Sequence, residues 1–169
     1  IDIGASSGRH VIGWIEDGKI CMEEIYRFDN LQKRIDGHDC WDVDGLFAHI
    51  LEGLAACKEK GKVPTMLGID TWAVDFILLD KDGKRTTDAV AYRDDRTQGI
   101  TSLVDQVISP SKIYRKTGIQ RQSFNTLFQL VALKREHPEQ IEAAQYFLMI
   151  PEYFNYLLTG VMKNEYTNA

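Results

Sequence analysis

The chain has 169 residues with 20 Lys and Arg against 25 Asp and Glu, a net charge of −5 and a hydrophobic fraction of 44%. That length supports one domain with a sizeable core, and the apolar content excludes a disordered chain. An acidic chain with no basic run lacks the footprint that nucleic acid needs, and no apolar stretch approaches the roughly 20 residues that span a bilayer.

Neither a nucleic-acid partner nor a membrane is therefore expected, and no secretory leader is recognisable. Cys21, Cys40 and Cys57 are odd in number, widely spaced and outside any CxxC pattern. They read as reduced thiols of a cytoplasmic protein. The four histidines form no HExxH or other ligand spacing, which argues against a structural zinc.

In chain order, residues 1–3 and 10–15 read as strands around the loop "GASSGR". Asp17 and Gly18 then signal a two-residue hairpin, and residues 19–28 alternate as its second strand. Residues 29–40 are polar and read as irregular. A helix follows, capped by Asp42 or Asp44, with Leu46, Phe47, Ile50, Leu51, Leu54 and Ala55 at helical spacing. Lys58 and Lys60 suit its negative end, and Gly61 suits its stop.

The stretch "TMLGIDTWAVDFILLD" gives two apolar strand-like runs around a polar centre, and "DAVAYRDDRT" reads as a further strand after an Asp82-Gly83 turn. Ile100, Leu103, Val104, Val107 and Ile108 form one helical stripe that ends at Pro110. A helix over about 126–137, the strand "YFLMI" and a short helix ending at Gly160 complete the order. The pattern is a mixed α/β domain rather than a simple alternation of strand and helix.

The opening loop raises a chemical question. The two familiar glycine-rich phosphate loops need a helix directly behind them, whereas "GASSGR" runs into a strand and has no Lys-Ser or Lys-Thr. A hairpin loop of small residues still presents backbone N–H groups to an anion, with hydroxyls from Ser6 and Ser7 and a charged fork from Arg9. Asp2 is placed to hold magnesium through water. An ordinary tight turn satisfies the same residues, so both readings stay open here.

Further stretches bear on the choice. "GIDTWAVDF" (68–76), "AYRDDRT" (91–97), "FNTLFQL" (124–130) and "EYTNA" (165–169), together with "DIGASSGR" (2–9), resemble the amino-terminal domain of the FGGY carbohydrate kinases. The "GIDTW" and "YRD" segments are most similar to the branch that phosphorylates L-rhamnulose. The resemblance covers the whole of residues 1–169. It implies an actin-like, ribonuclease H-like α/β fold with a mixed sheet flanked by helices, and a truncated first domain of two.

It also implies ATP, magnesium and a small-molecule sugar as ligands. By resemblance, Ala5, Ser6, Ser7, Gly8 and Arg9 match the loop for the ATP phosphates, and Asp2 matches the magnesium aspartate. Ala73 matches a sugar-contacting position that is normally Gly, so its methyl narrows the site. Trp72, Asp75, Tyr92 and Arg93 fall where the family places sugar-binding side chains. The aspartate that serves as general base, and the adenine pocket, are expected beyond Ala169, so the fragment alone is expected to be inactive.

Structural roles compete with several of these. Trp72 also suits core packing, Asp70 and Asp75 suit turn caps or pairs with Arg93 or Arg96, Tyr92 and Arg93 suit a tie from a strand end to the following helix, and Asp94, Asp95 and Arg96 suit a helix start. Asn125, Thr126 and Gln129 are placed to reach the cleft, although Asn125 and Thr126 also suit a helix cap, and residues 151–160 suit a packing helix that buries Tyr153, Phe154, Tyr156 and Leu157. Three rival functions are a kinase of the same family for another ketose or polyol such as fuculose or xylulose, a nuclease with Asp2, Asp70 and Asp75 as two-metal ligands, and a non-catalytic sugar or nucleotide sensor. The sequence shows no oligomeric state.

Overall fold

The computed structural model describes residues 1–168, so the last residue of the "EYTNA" stretch lies outside the described residues. Strands β1 (Asp2–Ile3), β2 (Ser7–Glu16) and β3 (Lys19–Asp29) run antiparallel to one another in sequence. Asp17 and Gly18 both take left-handed φ, 51° and 73°, as the tight hairpin turn requires. Residues 29–40, expected to be irregular, instead contain a second hairpin of β4 (Gln32–Ile35) and β5 (His38–Trp41). Its turn is the left-handed pair Asp36 and Gly37. Gln32, Lys33 and Arg34 are all exposed, so β4 carries no apolar alternation to betray it.

Helix α1 (Val43–Glu59) starts where Asp42 accepts a hydrogen bond from the Gly45 N–H at 3.1 Å. It buries Val43, Leu46, Ile50, Gly53 and Cys57 and has Lys58 in its last turn. Strand β6 (Asp70–Thr71) then pairs in parallel with β1, giving a mixed four-stranded sheet in the order β3-β2-β1-β6. Strand β7 (Phe76–Leu79) pairs with the late β8 (Tyr146–Met149) in a separate sheet.

The expected strand at "DAVAYRDDRT" does not form. Val90 makes a single bridge to Cys40, and a 3-10 turn spans Asp95–Thr97, where the Asp94 carboxylate accepts from the Arg96 N–H at 2.9 Å. The stripe over 100–108 is also divided. Helix α2 (Ile100–Asp105) stops early, and Pro110 opens α3 (Pro110–Thr117) instead of ending a helix. A proline in the first helical turn loses no hydrogen bond there, and its fixed φ favours the start. Pro138 likewise opens α5 (Pro138–Ala143), directly after α4 (Thr126–Glu136).

Helix α6 (Ile150–Thr159) packs on the main core, with Tyr153 and Phe154 buried and Tyr156 and Leu157 half-buried. That core joins Ile3, Trp41, Leu46, Ile50, Ile77 and Leu148 from all three sheets and α1. The three cysteines are free, Cys40 and Cys57 buried. Among the described residues no helix is long and apolar enough to cross a membrane.

His10 on β2 faces α1 and is 3% exposed, and its Nε2 has no partner among the described residues. A Cβ at Gly53 would lie 2.4 Å from the His10 ring, so only glycine lets α1 approach this closely. Burial holds the His10 pKa down at about 4. The unfolded chain binds this proton near pH 6.5 and the folded chain only near 4, so stability is lost as pH falls through that window. A thermal-unfolding series should lose on the order of 3 kcal/mol there, and His10→Gln should flatten the slope.

Candidate functional site

The parallel pairing of β1 with β6 sets the site. Ile3 is the register partner of Thr71, so the two strands deliver their carboxyl ends at the same edge, about 4.8 Å apart. Ala5 stands two residues past one strand and Ala73 two residues past the other. The small-residue loop and the Trp72 turn are therefore neighbours, at the strand ends where open α/β sheets bind ligands.

One row of cross-strand partners crosses the sheet just behind these loops. Arg27 pairs with Arg9, Arg9 with Asp2, and Asp2 with Asp70. All four are exposed. Register partners point to the same face, so two cations adjoin two carboxylates. The Arg9 Nε and Nη2 each reach the Asp2 Oδ2 at 3.0 Å, with both side chains about half exposed. Such an exposed pair contributes little to stability, so exchanging it for an anion and a cation costs little.

The loop itself is tied from below. The Gly4 N–H donates to the Ser7 carbonyl at 2.8 Å, the Asn30 N–H to the Ser6 carbonyl at 3.0 Å, and the Asn30 Nδ2 to the Gly4 carbonyl at 2.9 Å. Among the described residues, the N–H groups of Ala5 and Ser6 make no hydrogen bond. Gly8 is buried, and a Cβ there would lie 2.1 Å from the Phe28 ring, so its missing side chain serves packing. Asn30 is 4% exposed, and nothing in the sequence marks it, because it follows a strand with no motif around it.

The other side of the site is built on Asp75. This residue was expected to face a sugar, but its side chain is fully enclosed. Its Oδ2 accepts from the Trp41 Nε1 at 2.6 Å, the Trp72 Nε1 at 2.9 Å and the Tyr92 N–H at 3.0 Å. Its Oδ1 accepts from the Gln129 Nε2 at 2.8 Å. Burial raises its pKa above the ordinary carboxylate value despite these four donors. Asp75 thus braces the wall from inside. The alternation of "VDF" gave no sign of this, since the direction of an aspartate at a turn is decided by its distant partners.

Trp72 packs as well as bordering the exposed turn. Its ring is half-buried against Trp41, with ring centres 4.1 Å apart, and it adjoins the exposed Ala73. Arg93 is exposed and its Nε donates to the Tyr92 hydroxyl at 3.1 Å. Tyr92 in turn lies 5.6 Å from the Phe124 ring. Ala73 opens onto a cleft of about 290 Å³ whose other lining includes Val74, Ile113, Ile119, Arg121 and Leu127. Asn125 and Thr126 line it too. Asn125 holds the N-cap position of α4, but its side chain donates to the Gln120 carbonyl instead of capping.

The nuclease alternative does not survive this geometry. Asp75 is sealed away from Asp2 and Asp70 by its own partners, and among the described residues no three His, Cys, Asp or Glu side chains are grouped to hold a metal. Arg96 does not pair with Asp70 or Asp75. Its Nη2 donates to the Gln129 Oε1 at 2.5 Å.

The fold is that of solved sugar kinases. A ligand-bound xylulose kinase from Lactobacillus acidophilus superposes with a TM-score of 0.79 at 21% identity, over 95% of this chain and 33% of that one. Glycerol kinase from Plasmodium falciparum gives 0.65 at 18% identity, over 94% and 33%. The family model for the N-terminal domain of the FGGY family of carbohydrate kinases matches residues 1–169, and the chain belongs to that family. Among curated relatives, a rhamnulokinase from Oceanobacillus iheyensis is 52% identical over all of this chain, and one from Halalkalibacterium halodurans is 53% identical. The chain spans 36% of the length of each.

Proposed function

We propose that this chain is the phosphate-binding and sugar-facing part of an ATP-dependent kinase that converts L-rhamnulose to L-rhamnulose 1-phosphate in rhamnose breakdown in the cytoplasm. The observation that carries the reading is the Ile3–Thr71 register, which sets the loop beside the Trp72 turn. The rhamnulokinase relatives support the choice of sugar.

The unused N–H groups of Ala5 and Ser6, the Ser7 hydroxyl beside Gly8 and the Arg9 fork hold the ATP phosphates. Asp2, with Asp70 beside it, offers the hard oxygen donors that magnesium takes through its waters, and two solvent-open carboxylates next to arginines fit that ion. Magnesium held there would neutralise charge on the transferring phosphate. Ala73, Trp72, Tyr92 and Arg93 face the sugar, and Asp75 fixes their positions. The general base that accepts the 1-hydroxyl proton, and the adenine pocket, belong to residues beyond Ala169 in the rest of this domain and in a second one.

The cleft beside Ala73 argues for a deoxy sugar. Ile113, Ile119, Leu127 and Val74 give it an apolar wall, which suits the methyl end of L-rhamnulose better than a hydroxymethyl group. The complete protein, given ATP, magnesium and a ketose panel, should prefer L-rhamnulose over its 6-hydroxy analogue L-fructose by about 10- to 100-fold in kcat/KM. Equal use of the two, or preference for xylulose or fuculose, would contradict the assignment.

A further inference from the structure

Val74 is a β-branched residue in left-handed conformation, with φ at 71°. Such a residue is strained there and persists only where its surroundings hold it. Ala73, by contrast, has no positive φ, so the backbone does not require glycine at that position. The strain lies one residue from the exposed Ala73 and two from Trp72.

Two side chains of α4 hold the strained peptide. The Thr126 hydroxyl donates to the Val74 carbonyl at 2.8 Å, and the Gln129 Nε2 approaches the same oxygen at 3.3 Å. Gln129 is 1% exposed, and its Nε2 also reaches the Phe124 carbonyl and the Asp75 Oδ1, each at 2.8 Å. One amide therefore joins the strained turn, the buried carboxylate and the segment that carries Phe124.

We propose that Thr126 and Gln129 are positioning residues for the sugar, acting through the Val74 turn that they clamp. This rests on the sugar-kinase reading above. The clamp fixes the direction in which the Ala73 methyl meets the cleft, while the hydrogen bonds of Thr126 and Gln129 run to Val74, Asp75 and Phe124 and not to the phosphate loop. Thr126 also lines the cleft, so its test must separate an action through Val74 from direct contact with the sugar.

In the complete protein, Thr126→Val should raise the KM for L-rhamnulose about tenfold and leave the KM for MgATP and kcat within twofold. Thr126→Ser, which keeps the hydroxyl, should restore the wild-type value. Glycine adopts the left-handed turn without strain, so in a Val74→Gly background Thr126→Val should change the sugar KM less than threefold. Retention of the full tenfold effect in that background would mean that Thr126 touches the sugar itself, and would overturn the clamp. An unchanged sugar KM in Thr126→Val, or equal changes in both KM values, would overturn it as well. Wild-type protein that phosphorylates no ketose would overturn the sugar-kinase reading, and the clamp with it.

Discussion

Replacing Asp75 with alanine should destabilise the complete protein by at least about 3 kcal/mol, one of the largest effects of any single substitution in this chain. Four N–H groups converge on its carboxylate from Trp41, Trp72, Tyr92 and Gln129. The side chain is fully buried, so bulk solvent does not reach the donors when the acceptor is removed. Each orphaned donor then keeps its desolvation cost, and the space left behind adds a cavity. Asp75→Asn keeps the shape but turns an NH2 group toward donors, so it should recover only part of the loss. Thermal unfolding of wild type and both variants measures this. Unchanged stability with a raised sugar KM would mean that Asp75 faces the sugar.

Arg9→Ala should do the reverse, sparing stability and damaging nucleotide use. The Arg9–Asp2 pair is about half exposed on both sides and holds little folding energy. A hydrogen bond from a charged group to phosphate contributes about 1.5–3 kcal/mol, so its loss should raise the KM for MgATP by about 10- to 100-fold. The sugar KM should stay within twofold, because the Trp72 turn does not touch Arg9. Steady-state kinetics with each substrate varied in turn separates the two. Wild-type MgATP kinetics in Arg9→Ala would remove this residue from the phosphate site.

The sequence and the structure agree where the signal is local. Asp17 and Gly18, the Asp42 cap and the α1 stripe are patterns within one or two turns of chain, and each element appears where its pattern lies. The strand after "GASSGR" was equally readable, and it excluded the helix-based phosphate loops. Illegible features depend on partners far away in sequence. β6 is only two residues long, and its parallel partner lies almost 70 residues earlier. Asp75 turned inward because Trp41 and Gln129 meet it there, 34 and 54 residues away. Asn30 and Val74 belong to the same class, since one ties a loop across 26 residues and the other is held from 52 residues on. Proline misled in a different way, because Pro110 reads alike as a stop and as a first helical turn.

The central claim is that two adjacent loops on a parallel strand pair hold two different substrates. The most direct test is a crossed measurement on the complete protein with Arg9→Ala and Ala73→Leu. Ala73 is exposed, so the larger side chain fills the cleft mouth with little cost in stability. Arg9→Ala should raise only the KM for MgATP, and Ala73→Leu only the KM for L-rhamnulose, each by about tenfold or more. If both variants shift the same KM, or if neither shifts any, the division of the site between the β1 loop and the β6 turn is wrong.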